Sequence, residues 1–276
     1  MVGSVNMDLV FDMAALPAPG ETVLASSLHS EPGGKGGNQA VAAARAGADV
    51  QLVAALGDDA TGAALRKHLQ DNGVGLDGVG RLPIPSGTAA IMVGSSAENM
   101  IVVAPGANAH LALDSPQVRA VVADCDVLLL QLEIPPATAL AAARLAKNSG
   151  AAVVLNASPP GADPHVLSEL ATVADVVIVN ETEAAQWHWP VPHLVITRGA
   201  RGAVHQSAEG DRAPRPSRGN GGRRGRAGGL AGGNGQCRHA QTLATSLRPK
   251  MPEGRISSTP TISTKASESL SSVPTT

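Results

Sequence analysis

Apolar, β-branched runs recur through the first two hundred positions of the chain. They lie at 50–56, 100–103, 127–132, 152–155, 176–179 and 194–197. Runs of this length between turn residues predict buried strands. Between them, Ala/Leu-rich stretches with helical spacing predict helices over 39–46, 60–71, 116–123, 136–147, 164–173 and 181–187. Strand alternating with helix predicts an α/β fold: a mostly parallel sheet with helices on both faces. Two segments break the rhythm. Residues 21–30 (ETVLASSLHS) and 86–93 (SGTAAIMV) mix polar and apolar positions with no helix beside them. They predict a small antiparallel β sheet standing off the main one as a lid or interface. From residue 211 the pattern stops. Gly, Arg, Pro, Ser and Thr dominate, and 257–276 is low-complexity. The expected organisation is therefore an α/β domain over 1–210 and an Arg/Gly/Ser/Thr-rich tail over 211–276 that cannot bury enough to fold alone.

Charge sharpens that boundary. Residues 1–210 carry ten Lys/Arg against twenty Asp/Glu, whereas 211–276 carry eleven against three, which together give the net −2. Hydrophobic residues make up 43% of the chain, yet Phe11, Trp187 and Trp189 are its only aromatics, so the core must be built from Ala, Val, Leu and Ile. No apolar run is long enough to suggest a membrane span, and no basic segment precedes the first apolar run as in a signal peptide. Cys125 and Cys237 are isolated thiols, which fits a reducing, cytoplasmic setting. Eight His are scattered without HxxxH or CxxC spacing, which argues against a zinc site.

Ligands of parallel sheets bind beyond the carboxyl ends of the strands. Here four apolar runs end in polar residues: Glu133, Asn156, Asn180 with Glu181 and Glu183, and Thr197 with Gly199. Each residue alone is equally a helix cap or turn former; the four together favour a polar cleft. GGKGGNQAVAAARAG (33–47) is a Gly-rich turn running into an Ala-rich helix. It reads as a phosphate cradle or as a plain turn, because it matches neither GxxxxGK[ST] nor GxGxxG. Lys35 and Asn38 are its unusual members. Asn6 and Asp8 stand two apart and so share a side of an extended chain. An amide beside a carboxylate suits sugar hydroxyls, although the pattern alone is that of a turn.

Taken together, GSVNMD, LPAPGET, PGGKGGNQAVAAARAGA, ALGDDATG, APGAN, QLEIP, NETEA and ITRGARG resemble the ribokinase family of ATP-dependent carbohydrate kinases, in the family's order and over roughly residues 2–205. The resemblance implies transfer of the γ-phosphoryl group of MgATP to a primary hydroxyl of a pentose, D-ribose foremost. It implies that Asn6, Asp8, Gly34, Lys35, Gly36, Gly37, Asn38 and Glu133 hold the sugar. Asn180 and the loop Thr197, Arg198, Gly199, Ala200, Arg201 and Gly202 would lie along the nucleotide, with Glu183 near Mg²⁺ through water. A monovalent cation such as K⁺ is a further expectation, as are a first strand starting upstream of Met1 and a lid that pairs with a second subunit.

The chain also departs from the family. The GAGD-type motif, which supplies an anion hole and the general base, does not occur, so no catalytic base is identified. The helices that wall the adenine site are missing, and the segment after Trp187 is short. A one-base shift of frame over GNGGRRGRA (219–227) would restore E-T-A-G-A-G-D-V-L in the expected place. Two other readings stand beside the kinase: a sugar-binding remnant without turnover, and nucleic-acid binding through the Arg/Gly-rich tail, which its lack of aromatics weakens.

Overall fold

The computed structural model describes residues 1–96 and 98–207. The 211–276 tail lies outside the described residues, and with it the frame-shift and nucleic-acid readings. Strand β1 (Asn6–Met13) and β2 (Ser27–Gly33) precede helix α1 (Lys35–Arg45). There follow β3 (Gln51–Gly57), α2 (Ala60–Asp71), β4 (Gly75–Leu82), β5 (Gly87–Gly94) and β6 (Asn99–Ala104). A 3₁₀ turn (Gly106–His110) leads into α3 (Pro116–Ala123), β7 (Val127–Gln131), α4 (Pro136–Asn148), β8 (Ala152–Asn156) and α5 (Pro164–Val173). The described chain ends with β9 (Val176–Asn180), α6 (Glu181–Ala184), β10 (His193–Thr197), a 3₁₀ turn (Gly199–Arg201) and β11 (Ala203–Ser207).

The main sheet joins two parts, β4–β3 and β7–β8–β9–β10–β11, through a single residue. Val2 bridges Val53 and Leu130 in parallel; its N–H donates to Leu129 O at 3.0 Å, and Gly3 N–H donates to Val53 O at 3.1 Å. All pairings in this sheet are parallel except β10–β11. Side-chain alternation gives it two main cores and a smaller cluster of Val154, Val176 and Ile178. Val53, Ala55, Leu130, Val153, Leu155, Val177 and Val179 pack with helices α3 to α5 on one face. Leu52, Ala54 and Leu56 pack with Ala40, Val41, Leu65 and Leu69 of α1 and α2 on the other. Caps fix where the helices begin. Asp59 accepts from Gly62 N–H at 2.6 Å, Ser115 from Val118 N–H at 3.0 Å and Asp163 from His165 N–H at 2.8 Å, the last two followed by Pro at the first helical position.

The second sheet has the order β2–β1–β5–β6. It is the expected lid, with two corrections. Of the first segment read from sequence, 21–26 forms no strand and 27–30 falls in β2; the second forms β5, and the two strands are not neighbours: β1 lies between them, antiparallel to β2 and parallel to β5. Residues 100–103, expected as a buried strand, form β6, whose residues are all exposed at the lid's edge. An apolar run four residues long does not say which sheet it joins, and here the short reach from β5 makes the antiparallel pairing the local one. Strands β4 and β11 were not anticipated, because GLDGVGRL is half glycine and polar and AVHQS is barely apolar. The sixth helix stops at Ala184 rather than 187, and α1 begins at Lys35 rather than 39.

Candidate functional site

The chain leaves the main sheet at Gly3 and enters the lid at Asn6, so residues 3–8 are the joint between the two sheets. The first turn of α1 presses against this joint, backbone on backbone. Gly34 caps the helix at φ 82°, where only glycine is unstrained. A Cβ on Gly36 would meet Gly3 C at 2.6 Å and Ser4 N at 2.7 Å. Gly37 N–H donates to Ser4 O at 2.9 Å. The GGKGG run is therefore the beginning of the helix itself, and its glycines allow close approach. Gly33 ends β2 and Gly34 caps α1, so the run forms a tight strand-to-helix turn.

This approach brings the first group of expected site residues together. Glu133, just beyond β7, accepts from Ser4 Oγ at 2.5 Å and from Lys35 N–H at 3.1 Å, and its other oxygen faces Lys35 Nζ at 3.5 Å. The Lys35 and Glu133 side chains are only 15% and 14% exposed, so the pair is largely desolvated. Asn6 is buried, and its Oδ1 accepts from Asn108 Nδ2 at 2.8 Å. Asp8 lies over Gly33, where a Cβ would sit 2.1 Å from the carboxylate. Its pKa is raised to about 6, first by burial and then by the negative charges of Glu31 and Glu133, against which Lys35 acts. Among the described residues neither the Asp8 carboxylate nor the half-buried Asn38 amide makes a side-chain hydrogen bond.

Residues that the sequence reading did not single out do the positioning. Asn108 accepts from Val5 N–H at 2.9 Å and donates to Val5 O at 3.1 Å, which fixes the backbone beside Asn6. Ser4 orients Glu133. Gln131 pairs its Nε2 with Gln39 of α1 and leaves Oε1 buried, without a partner among the described residues. The sequence signal for Asn108 is the last residue of APGAN (104–108).

A second group gathers at the neighbouring strand ends, where Asn180 of β9 lies beside Thr197 of β10. Asn180 Oδ1 accepts from Glu183 N–H and a Glu183 carboxylate oxygen accepts from Asn180 N–H, both at 2.8 Å, which is a capping box. Thr197 Oγ1 donates to Val179 O at 3.2 Å. The turn that follows has Gly199 at φ 57° and Gly202 at φ 85°, closed by Arg198 N–H to Gly202 O at 2.7 Å. Ala200 lies inside that turn. Glu181 holds both of its guanidinium groups, Arg201 at 2.5 Å and Arg198 at 3.5 Å. The structure thus forms two clusters, Asn6 to Asn38 with Glu133 and Asn180 to Gly202. Both stand at the carboxyl edge of one sheet, with the end of β8 at Asn156 between them. Among the described residues no three His, Cys, Asp or Glu side chains gather as a metal cluster.

The arrangement agrees with comparisons to known proteins. Residues 1–217 match the family model described as pfkB family carbohydrate kinase. The chain is 39% identical over 187 residues to the ribokinase of Haemophilus influenzae, covering 67% of this chain and 60% of that protein. A solved ribokinase from Giardia lamblia superposes with a TM-score of 0.74 at 25% identity, over 88% of this chain and 80% of that one. Arabidopsis thaliana ribokinase, solved in complex with ribose and ATP, superposes with a TM-score of 0.66 at 29% identity, over 75% of this chain and 74% of that one. Fold and sequence lead to the same place: the chain belongs to the pfkB family of carbohydrate kinases.

Proposed function

We propose that the chain is a ribokinase-type protein that binds a pentose, D-ribose foremost, next to MgATP. The observation that carries this reading is the sugar-side cluster. Lys35 and Glu133 hold each other in place, while Asp8 and Asn38 stand beside them with hydrogen-bonding capacity unused among the described residues. Fixed donors and acceptors with free neighbours suit a polyol. The Arabidopsis relative bound to ribose and ATP supports the choice of ligands.

In the reaction, the sugar's primary hydroxyl oxygen forms a bond to the γ-phosphorus as the bond to the β–γ bridging oxygen breaks, and ADP leaves. The turn has the backbone N–H groups of Gly199 and Ala200 to offer the nucleotide phosphates, with Asn180 and Thr197 beside them; Arg198 and Arg201 would reach a phosphate by exchanging it for Glu181. Glu183 has one carboxylate oxygen engaged by Asn180 N–H, which leaves the other for a water held by Mg²⁺; Mg²⁺ commonly keeps several waters. When bound, the ion would neutralise charge on the phosphates. No described residue is assigned to a monovalent cation.

The hydroxyl proton needs an acceptor, and the absence of GAGD from the sequence favours a second reading, sugar binding without turnover. Calorimetry with ribose, with and without a non-hydrolysable ATP analogue, is to be run beside ADP release with ribose, 2-deoxyribose, fructose and adenosine. Binding with ribose turnover supports the kinase, and binding alone supports the remnant. No binding of ribose in either condition sinks both. The lid's exposed Leu28, Met100, Ile101, Val102 and Val103 are proposed to pair with a second copy of the chain. Light scattering that gives a monomer at micromolar concentration would refute that pairing.

A further inference from the structure

We propose that His193 and His205 form a two-histidine site for a divalent first-row transition metal on the β10–β11 hairpin. Neither residue belongs to the clusters described above, so the proposal is independent of the kinase reading. His193 opens β10 and pairs in register with Ser207, whereas His205 pairs with Val195. The two histidines are thus diagonal neighbours on one face of an antiparallel pair, within reach of each other's rings. His193 Nδ1 and His205 Nε2 are 3.1 Å apart. The ring centroids are 5.1 Å apart, with planes inclined at 42°.

Those distances decide what the pair can hold. Imidazole nitrogens bind a metal such as Zn²⁺ at about 2.0–2.1 Å, so two of them on one ion stand about 2.9 Å apart at a right angle and about 3.4 Å apart at the tetrahedral angle. The observed separation lies between these limits. The strands already hold both nitrogens at the spacing of adjacent ligands on one ion, and chelation needs ring rotation rather than backbone movement. Without metal, one ring donates its proton to the other; a metal takes the place of that shared proton and needs both rings neutral. His193 is exposed and His205 half-buried, so water can complete the coordination. Imidazole donors suit Cu²⁺, Ni²⁺ and Zn²⁺, whereas Mg²⁺ and Ca²⁺ prefer oxygen. The described residues hold no cluster of three such groups, so this is a two-ligand site. It was hidden in the sequence because its members are twelve residues apart. A bound ion would tie β11 to β10, the two strands joined by the turn that carries Arg198 and Arg201.

The test uses the full-length, untagged, chelator-treated chain at pH 7.5. Zn²⁺, Ni²⁺ and Mg²⁺ are titrated calorimetrically into the parent, His193→Asn and His205→Asn. We expect one site for Zn²⁺ and Ni²⁺ in the parent, weakened about tenfold or more in each variant, and no heat from Mg²⁺ at that site. Substoichiometric Cu²⁺ added to the parent should broaden the ring resonances of His193 and His205 before those of the other six histidines. This second measurement does not depend on the variants folding. Equal Zn²⁺ binding by folded variants and parent, or broadening that begins at other histidines, overturns the proposal.

Discussion

Asp8→Asn should make the chain more stable at neutral pH while weakening its sugar site. The folded-state pKa of Asp8 is about 6 against an ordinary 3.8, so the folded protein disfavours the charged form. For a carboxyl with a raised folded pKa, the folded state binds more protons than the unfolded one between the two values. Stability is therefore full below about pH 4 and declines as pH rises through 6. Two pH units at about 1.4 kcal/mol each give roughly 3 kcal/mol. Asp8 is only half-buried, so solvent screening reduces the cost to about 1–1.5 kcal/mol. Asn has nearly the same shape and no charge, and so removes it. Urea denaturation of parent and Asp8→Asn at pH 4.5, 6.0 and 7.5 isolates the effect, since other titrating groups cancel in the difference. The variant should gain about 1 kcal/mol at pH 7.5 and roughly a third of that at pH 4.5. A variant equal to or weaker than the parent at pH 7.5, with a difference that does not depend on pH, refutes the reasoning.

Glu133→Gln leaves Lys35 without its anion in a mostly desolvated place and removes a like charge from Asp8. It should cost about 2 kcal/mol in urea denaturation and shift the pH-dependent loss of stability that Asp8 causes to lower pH. Gly36→Ala would ordinarily stabilise a helix by about 0.5–1 kcal/mol. Here the new Cβ meets backbone at 2.6–2.7 Å, so the sign should reverse to a loss of about 2 kcal/mol or more, read as a lower thermal midpoint. Asn108→Ala strands the buried Val5 N–H and the Asn6 carbonyl oxygen. It should cost about 2–3 kcal/mol, and ribose affinity in calorimetry should fall even though Asn108 is not proposed to touch the sugar.

The predicted helices over 60–71, 116–123 and 164–173 match α2, α3 and α5 because each carries its start signal in the chain: Asp59, Ser115 and Asp163, two of them followed by Pro. The parallel strands β3, β8 and β9 are legible as apolar runs because most of their residues are buried on both faces. What could not be read was which sheet a short strand joins. β6 is as apolar as β8, yet its residues are exposed at the lid's edge while Val153, Val154 and Leu155 are buried. That difference lies in partners, and partners are not local.

The candidate site divides along the same line. Asn180 and Glu183 are explained in full by a capping box over four residues, so their presence in NETEA is already required by the start of α6. A nucleotide role is an additional reading, and conservation of such a motif would not separate the two. Asp8 is the opposite case. It has no hydrogen bond to explain it among the described residues, it lies over a glycine that leaves it room, and its ionised form is disfavoured. Folding gives no reason for a carboxylate there that Asn would not satisfy better. A residue that costs the fold stability and makes no hydrogen bond among the described residues is the one whose identity points outward, to a ligand. Asp8 is for that reason a firmer marker of sugar binding than the better-ordered Asn180 is of the nucleotide, and the stability difference between Asp8 and Asn at pH 7.5 measures the strength of that inference.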